Sequence, residues 1–96
     1  MNSFAALADP TRRQIIETLA QGPLSSGEIA EKFEISAPAI SQHLKALRVA
    51  KLVRVRVEAQ WRIYELDKDG IDELMRWVTV LKQRVDELCD SAAVTH

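Results

Sequence analysis

Apolar positions along the chain recur with a period near 3.6, switch once to a period of 2, and return to 3.6. In "DPTRRQIIETLAQGP", residues 9–23, Ile15, Ile16 and Leu19 form a single stripe. Asp9 suits an N-cap, Pro10 the first helical position and Gly22-Pro23 a stop, which predicts a helix over 10–20. Ahead of it Ser3 can cap a short turn whose Phe4 and Leu7 need burial, and a helix so short needs a neighbour to pack on. "LSSGEIAEKFEIS", residues 24–36, holds a capping box, Ser25 with Glu28, bracketed by Leu24 and Ile29 as a hydrophobic staple. A short helix follows with Ile29, Ala30 and Phe33 inward. Ser36 caps the next, expected from Ala37 to Val49, with Pro38 in its tolerant first turn and Ile40, Leu44 and Leu47 inward. Two short helices this close in sequence make a helix-turn-helix.

The period of 2 belongs to "LVRVRVEAQWRIYEL", residues 52–66. Val53, Val55 and Val57 alternate with Arg54 and Arg56, which predicts a strand with valines in and arginines out. Trp61 to Leu66 is rich in β-formers, although its alternation selects no face, and a β-hairpin with Glu58, Ala59 and Gln60 near its tip is expected. A last helix runs from about Lys68 to Cys89. Its Ile71, Leu74, Val78, Leu81, Val85 and Leu88 are spaced 3, 4, 3, 4, 3, an a/d seam flanked by Met75, Trp77 and Val80. Such a stripe fits a helix that touches both its own domain and a partner. Residues 1–90 then form one domain and 91–96 a frayed tail. The fold class is mainly α with a β-hairpin wing, α+β.

The helix expected over 37–49 has a second face. Pro38, Ser41, Gln42, Lys45 and Arg48 lie opposite its apolar side. Net charge is −1 over 96 residues, which alone argues against nucleic acid, but the charge is unevenly placed. From Ser36 to Arg62 the only acid is Glu58, against Lys45, Arg48, Lys51, Arg54, Arg56 and Arg62. A polar second helix of a helix-turn-helix followed by a basic hairpin is the arrangement of a winged helix, which reads base edges in the major groove. Gln42 can pair bidentately with adenine, and Ser41 can meet base or phosphate. Lys45 and Arg48 are placed for the backbone, and amides near Ser36 can receive a phosphate. Arg54, Arg56 and Arg62, with Gln60 at the tip, would contact the backbone or the flanking minor groove, or pair with Glu58 or Glu65. His43 borders the buried side, where a structural hydrogen bond competes with a DNA contact.

"LADPTRRQIIETL" (7–19), "SQHLKAL" (41–47) and "LV" (52–53) leading into the wing resemble the ArsR/SmtB-type winged-helix repressors, and the likeness covers nearly the whole chain. The resemblance implies a winged helix-turn-helix homodimer, built from the first and last helices through Phe4, Leu7, Ile71, Leu74, Val78, Leu81, Val85 and Leu88. It implies repression by occupying operator DNA, often near the protein's own gene. It carries Ser41 and Gln42 over as base readers, Ser36, Lys45 and Arg48 as positioners, and Arg54, Arg56 and Arg62 as wing contacts. Members commonly have Gly where this chain has Lys51 and Ala59. A left-handed Lys51 would cost on the order of 1 kcal/mol, and a looser wing tip is expected.

Other chemistries find little support. Metal-sensing members carry a cysteine pair on the helix matching "GEIAEKF", or Asp and His pairs on the last helix, and neither set is here, so no metal and no cofactor is expected. The lone Cys89, between Glu87 and Asp90, lacks the electropositive setting of a reactive thiol. No nucleophile and base, phosphate loop or carboxylate dyad marks an enzyme. Asp67, Asp69, Asp72 and Glu73 suit the start of a helix. With no apolar run long enough to span a membrane and no basic, apolar leader in "MNSFAALADP", a cytoplasmic protein without membrane association is expected. The alternative reading is a protein-interaction module working through the acidic last helix, which salt-insensitive DNA binding would favour. A small apolar effector between the helices, with Trp61 and Trp77 lining its site, competes with packing roles for both tryptophans.

Overall fold

The computed structural model describes the backbone of residues 3–94 and the side chains of residues 3–90. Its elements in order are α1 (Ser3–Leu7), α2 (Pro10–Leu19), β1 (Leu24–Ser25), α3 (Ser26–Lys32), α4 (Ala37–Val49), β2 (Val53–Glu58), β3 (Trp61–Leu66) and α5 (Lys68–Val94). The core is made by Ala6, Ile15, Leu19, Ile29, Ile40, Leu44, Leu47, Ala50, Leu52, Val53 and Tyr64, contributed by α1, α2, α3, α4 and the β2-β3 hairpin together with the bend after α4.

Local chemistry sets the helix starts. The Asp9 carboxylate accepts from the backbone N–H of Thr11 at 2.8 Å and of Arg12 at 3.2 Å, with Pro10 opening α2 behind it. The Arg12 backbone N–H holds this carboxyl below its ordinary range, with help from that of Thr11. At α3 the capping box is complete: Glu28 N–H donates to Ser25 Oγ at 3.1 Å, and Ser25 N–H to Glu28 Oε1 at 2.9 Å. The five-residue α1 depends on its neighbours. Arg12 Nε donates to the Ala6 carbonyl and Arg13 Nη1 to that of Leu7, each at 2.7 Å, so the two arginines satisfy carbonyls that α1 is too short to pair. Phe4 meets Trp77 of α5 edge-to-face, with ring centroids 4.9 Å apart.

The strands form one antiparallel sheet in the order β1-β3-β2. The two-residue β1, with Leu24 opposite Tyr64 and Ser25 opposite Ile63, was not expected, because so short a strand has no periodicity to read. The hairpin register places Val53, Val55 and Val57 opposite Leu66, Tyr64 and Arg62 on one face, and Arg54, Arg56 and Glu58 opposite Glu65, Ile63 and Trp61 on the other. The expected valine-in face holds only at the base of the wing. Val53 is buried and Val55 half-buried, but Val57 is 70% exposed because the hairpin runs out past the edge of the core. The expected looser tip is also corrected. Glu58 and Trp61 pair directly across Ala59-Gln60, and Ala59 adopts φ 54°, as a two-residue hairpin turn demands.

Helix α4 ends in a Schellman motif. Leu52 N–H donates to the Leu47 carbonyl and Lys51 N–H to that of Arg48, both at 3.0 Å, with Lys51 left-handed at φ 61°. The first turn of α5 is seated on this bend. Asp67 N–H donates to the Leu52 carbonyl at 2.9 Å, and Gly70 is so close that a Cβ there would lie 1.6 Å from the Lys51 carbonyl oxygen. Helix α5 then leaves the body and gives the molecule a long axis of 63 Å. It continues to Val94, past the expected end at Cys89. Residues 91–94, expected as tail, extend it because "SAAV" contains no glycine or proline to stop elongation; 95–96 lie outside the described residues. Among the described residues no helix is long and apolar enough to cross a membrane.

Two substitutions at the seat should have opposite signs. Gly70→Ala drives a methyl group into the Lys51 carbonyl and should destabilise the fold on the order of 3 kcal/mol. Lys51→Gly relieves the left-handed lysine and should stabilise it by about 0.5–1 kcal/mol. Urea denaturation at fixed protein concentration measures both, and a Gly70→Ala protein as stable as the parent would mean that the two backbones do not meet.

Candidate nucleic-acid interface

Helix α4 is buried along one stripe and exposed along the opposite face. Ile40, Leu44 and Leu47, each at most 2% exposed, lock its inner face, so Pro38, Ser41, Gln42, Lys45 and Arg48 all point to solvent. Four of these side chains carry hydrogen-bond donors, and Pro38 lends rigidity to the first turn. Ser36 caps the helix by accepting from Ala39 N–H at 3.3 Å, which leaves its hydroxyl hydrogen for an anion placed over the same end. Of the sequence-predicted residues on α4, Pro38, Ser41, Gln42, Lys45 and Arg48 share one exposed face and His43 does not.

The register assigns Arg62, which the sequence placed on no face, to the side of the sheet opposite Arg54 and Arg56. Arg62 lies on the inward-facing side of the sheet, beyond Tyr64, and with Ser41, Lys45, Arg48, Val49 and Tyr64 it lines a groove of about 450 Å³ between α4 and the hairpin. Among the described residues no salt bridge engages Lys45, Arg48 or Arg62. Arg54 and Arg56 lie on the opposite face, and both are engaged. Arg54 Nε is 3.0 Å from Glu65 Oε1, Arg56 Nε is 3.5 Å from the same oxygen, and Arg56 Nη1 is 2.8 Å from Glu58 Oε1. The Glu58 hydrogen bond also raises the proton affinity of Arg56. Gln60 is exposed at the tip. Strand alternation separates residues 54 and 56 from 57, but the partner of 57 becomes known only with the register, so the sequence left Arg62 unassigned to a face.

A second groove of about 440 Å³ lies on the other flank of α4, lined by Ala5, Ala6, Arg12, Gln42, Lys45, Ala46 and Val49. Gln42 and Lys45 therefore stand on a ridge near α1. His43 is half-buried, and its Nδ1 is enclosed without a hydrogen-bond partner. The structural hydrogen bond considered from sequence is absent at that atom among the described residues. Among the described residues no group of three or more His, Cys, Asp and Glu could hold a metal ion.

The expected interface seam divides in two. Leu7, Ile71 and Leu74 are half-buried against the domain's own core. From Val78 outward the seam is open: Val78, Leu81, Val85 and Leu88 are all exposed, together with Met75, Trp77, Val80 and the free edge of Phe4. The packing role of Trp77 is visible in its contact with Phe4, while Trp61 is exposed on the outer face of the wing.

A helix-turn-helix whose second helix bares polar and cationic side chains, beside a basic two-stranded wing, defines a winged helix-turn-helix DNA-binding protein. The family model of bacterial regulatory proteins of the arsR family matches residues 9–55. The chain is 50% identical over 72 residues to the HTH-type transcriptional regulator Rv2034 of Mycobacterium tuberculosis, covering 75% of this chain and 67% of that one. It is 38% identical over 77 residues to the transcriptional repressor SdpR of Bacillus subtilis, covering 80% and 86%. Among solved structures, the homodimeric winged helix-turn-helix DNA-binding domain of Mb0332 from Mycobacterium bovis superposes with a TM-score of 0.70 at 29% identity, covering 90% of this chain and 80% of that one. This chain belongs to the ArsR family of bacterial regulatory proteins. It is a DNA-binding transcription regulator and not an enzyme.

The unpartnered Nδ1 makes the role of His43 testable. Replacing a buried group that makes no hydrogen bond there loses none, so His43→Leu should change stability by no more than about 0.5 kcal/mol or raise it. A loss well beyond that in denaturant titration would show that the ring is held by a bond through its other nitrogen.

Proposed function

We propose that the chain acts as a homodimeric repressor that occupies an inverted-repeat operator, with one α4 entering the major groove at each half-site. The observation that carries this reading is the α4 face: Ser41, Gln42, Lys45 and Arg48 exposed together beside Arg62, which no salt bridge engages among the described residues. Gln42 and Ser41, one turn into the helix, are the base readers. Lys45, Arg48, Arg62 and the Ser36 end of the helix hold phosphates and set the register, with Pro38 shaping the entry and His43 supporting the helix from behind. Gln60 carries the wing tip to the flanking backbone. The exposed seam Val78, Leu81, Val85 and Leu88, with Phe4, supplies the surface for a second copy. Two recognition helices related by a twofold axis and spaced about 34 Å apart would then meet successive major grooves. Repression follows from occupancy, and its place of work is the chromosome in the cytoplasm.

Selection of random duplexes on the purified protein, at two salt concentrations, tests this directly. An inverted repeat with half-sites about one helical turn apart should be enriched; a flat outcome from folded, dimeric protein would sink the reading. On the selected site, Gln42→Ala should cut discrimination by roughly tenfold or more while leaving random-sequence affinity nearly unchanged. Lys45→Ala should weaken binding to all sequences and shallow the salt slope by about 0.9.

The dimer has its own test. Leu81→Glu sets a charge in the exposed seam of each copy, and sedimentation should find monomer where the parent is dimer, with operator affinity lost at concentrations that saturate the parent. An unchanged dimer would place the interface elsewhere.

A further inference from the structure

Resting on the DNA-binding reading above, the geometry points to a positioning role for Glu65: we propose that its carboxylate withholds Arg54 and Arg56 from phosphate. The wing's grip on DNA is then left to Arg62 on the opposite face. Glu65 is directly opposite Arg54 across the hairpin, and its Oε1 lies 3.0 Å from Arg54 Nε and 3.5 Å from Arg56 Nε. Its side chain is 19% exposed, whereas those of Arg54 and Arg56 are 63% and 43% exposed, so the carboxylate stays in place while the arginines are the groups phosphate could reach. Glu58 adds a second hold on Arg56 at 2.8 Å.

Two of the wing's three arginines are therefore neutralised on their own strand pair. Phosphate contacts act on every sequence alike, and each cation engaged adds its increment to affinity and to salt dependence. A carboxylate shared by two guanidinium groups competes with phosphate for both, so Glu65 sets how strongly the wing adds to sequence-independent binding.

The test is the salt dependence of binding to random-sequence duplex by the full chain. Glu65→Gln should bind roughly fivefold tighter at low salt, about the most an exposed ion pair is worth. Its log–log salt slope should steepen by about 0.9 to 1.8, the lower value if Glu58 still holds Arg56. In an Arg54→Ala, Arg56→Ala background the same substitution should have no such effect. With Glu65 intact, Arg62→Ala should shallow the slope more than Arg54→Ala and Arg56→Ala together. An unchanged slope for Glu65→Gln overturns the proposal, as does a gain that persists without the two arginines, which would reflect long-range charge alone. Lys45→Ala in the same assay separates the failures. If it shallows the slope while Glu65→Gln does nothing, DNA binding stands and the role of Glu65 falls; if folded parent binds no duplex at either salt, both fall. Glu65→Asp, which keeps the charge, should restore most of the parent slope if the carboxylate is the cause.

Discussion

The contact between Gly70 and the Lys51 carbonyl is the constraint on which the rest of the structure depends. Lys51 is the left-handed residue that ends the recognition helix, and Gly70 lies in the first turn of the helix that carries the exposed apolar seam. No side chain separates them: the approach is closer than any Cβ permits. The polar face of α4 and the apolar seam of α5 are thereby joined backbone to backbone. In a dimer built on α5, the distance between the two recognition helices is set at this seat, and a shift of one helical turn there would take them out of step with the major groove.

Electrostatics divides the labour within the wing. A two-residue hairpin turn fixes the register, and the register decides that Arg62 shares the core-facing side while Arg54 and Arg56 share the other. Arg62 falls beside Lys45 and Arg48 in a groove with no carboxylate in its lining, and the other two arginines fall against Glu65. Residues of one type, a few positions apart, thus meet opposite surroundings. The count of basic residues in this stretch overstates its free charge, because Arg54 and Arg56 are offset by Glu65 across the hairpin and by Glu58 two residues along the same strand.

Most of the fold was legible in the sequence because its signals are local. Asp9 with Pro10, Ser25 with Glu28, and Ser36 with Pro38 each announce a helix start by chemistry that acts over three residues, and all three starts stand where those residues put them. The polar face of α4 was legible for the same reason, since helical period alone places 41, 42, 45 and 48 together. What escaped depends on contacts between distant segments. The two-residue β1 exists because Tyr64 and Ile63 offer it an edge. The tight turn at Ala59 exists because a full cross-strand ladder outweighs the cost of a left-handed alanine. Arg12 and Arg13 give no hint in the sequence that they serve α1 rather than DNA.

The open seam on α5 has a physical consequence for how such a protein works. A chain of this size buries only a modest core, and here part of the seam, Ile71 and Leu74, already serves that core while Val78 to Leu88 remain uncovered. In the proposed dimer a second copy would cover them and add apolar burial that a lone chain lacks, linking folding, dimerisation and the spacing of the two α4 helices in one equilibrium. Helix α1 ties into the same linkage: too short to stand alone, it is held by arginines of α2 and by Trp77 of α5, and it forms one wall of the groove that Gln42 and Lys45 also line. Loosening α1 would therefore disturb the seam and the DNA-facing ridge together.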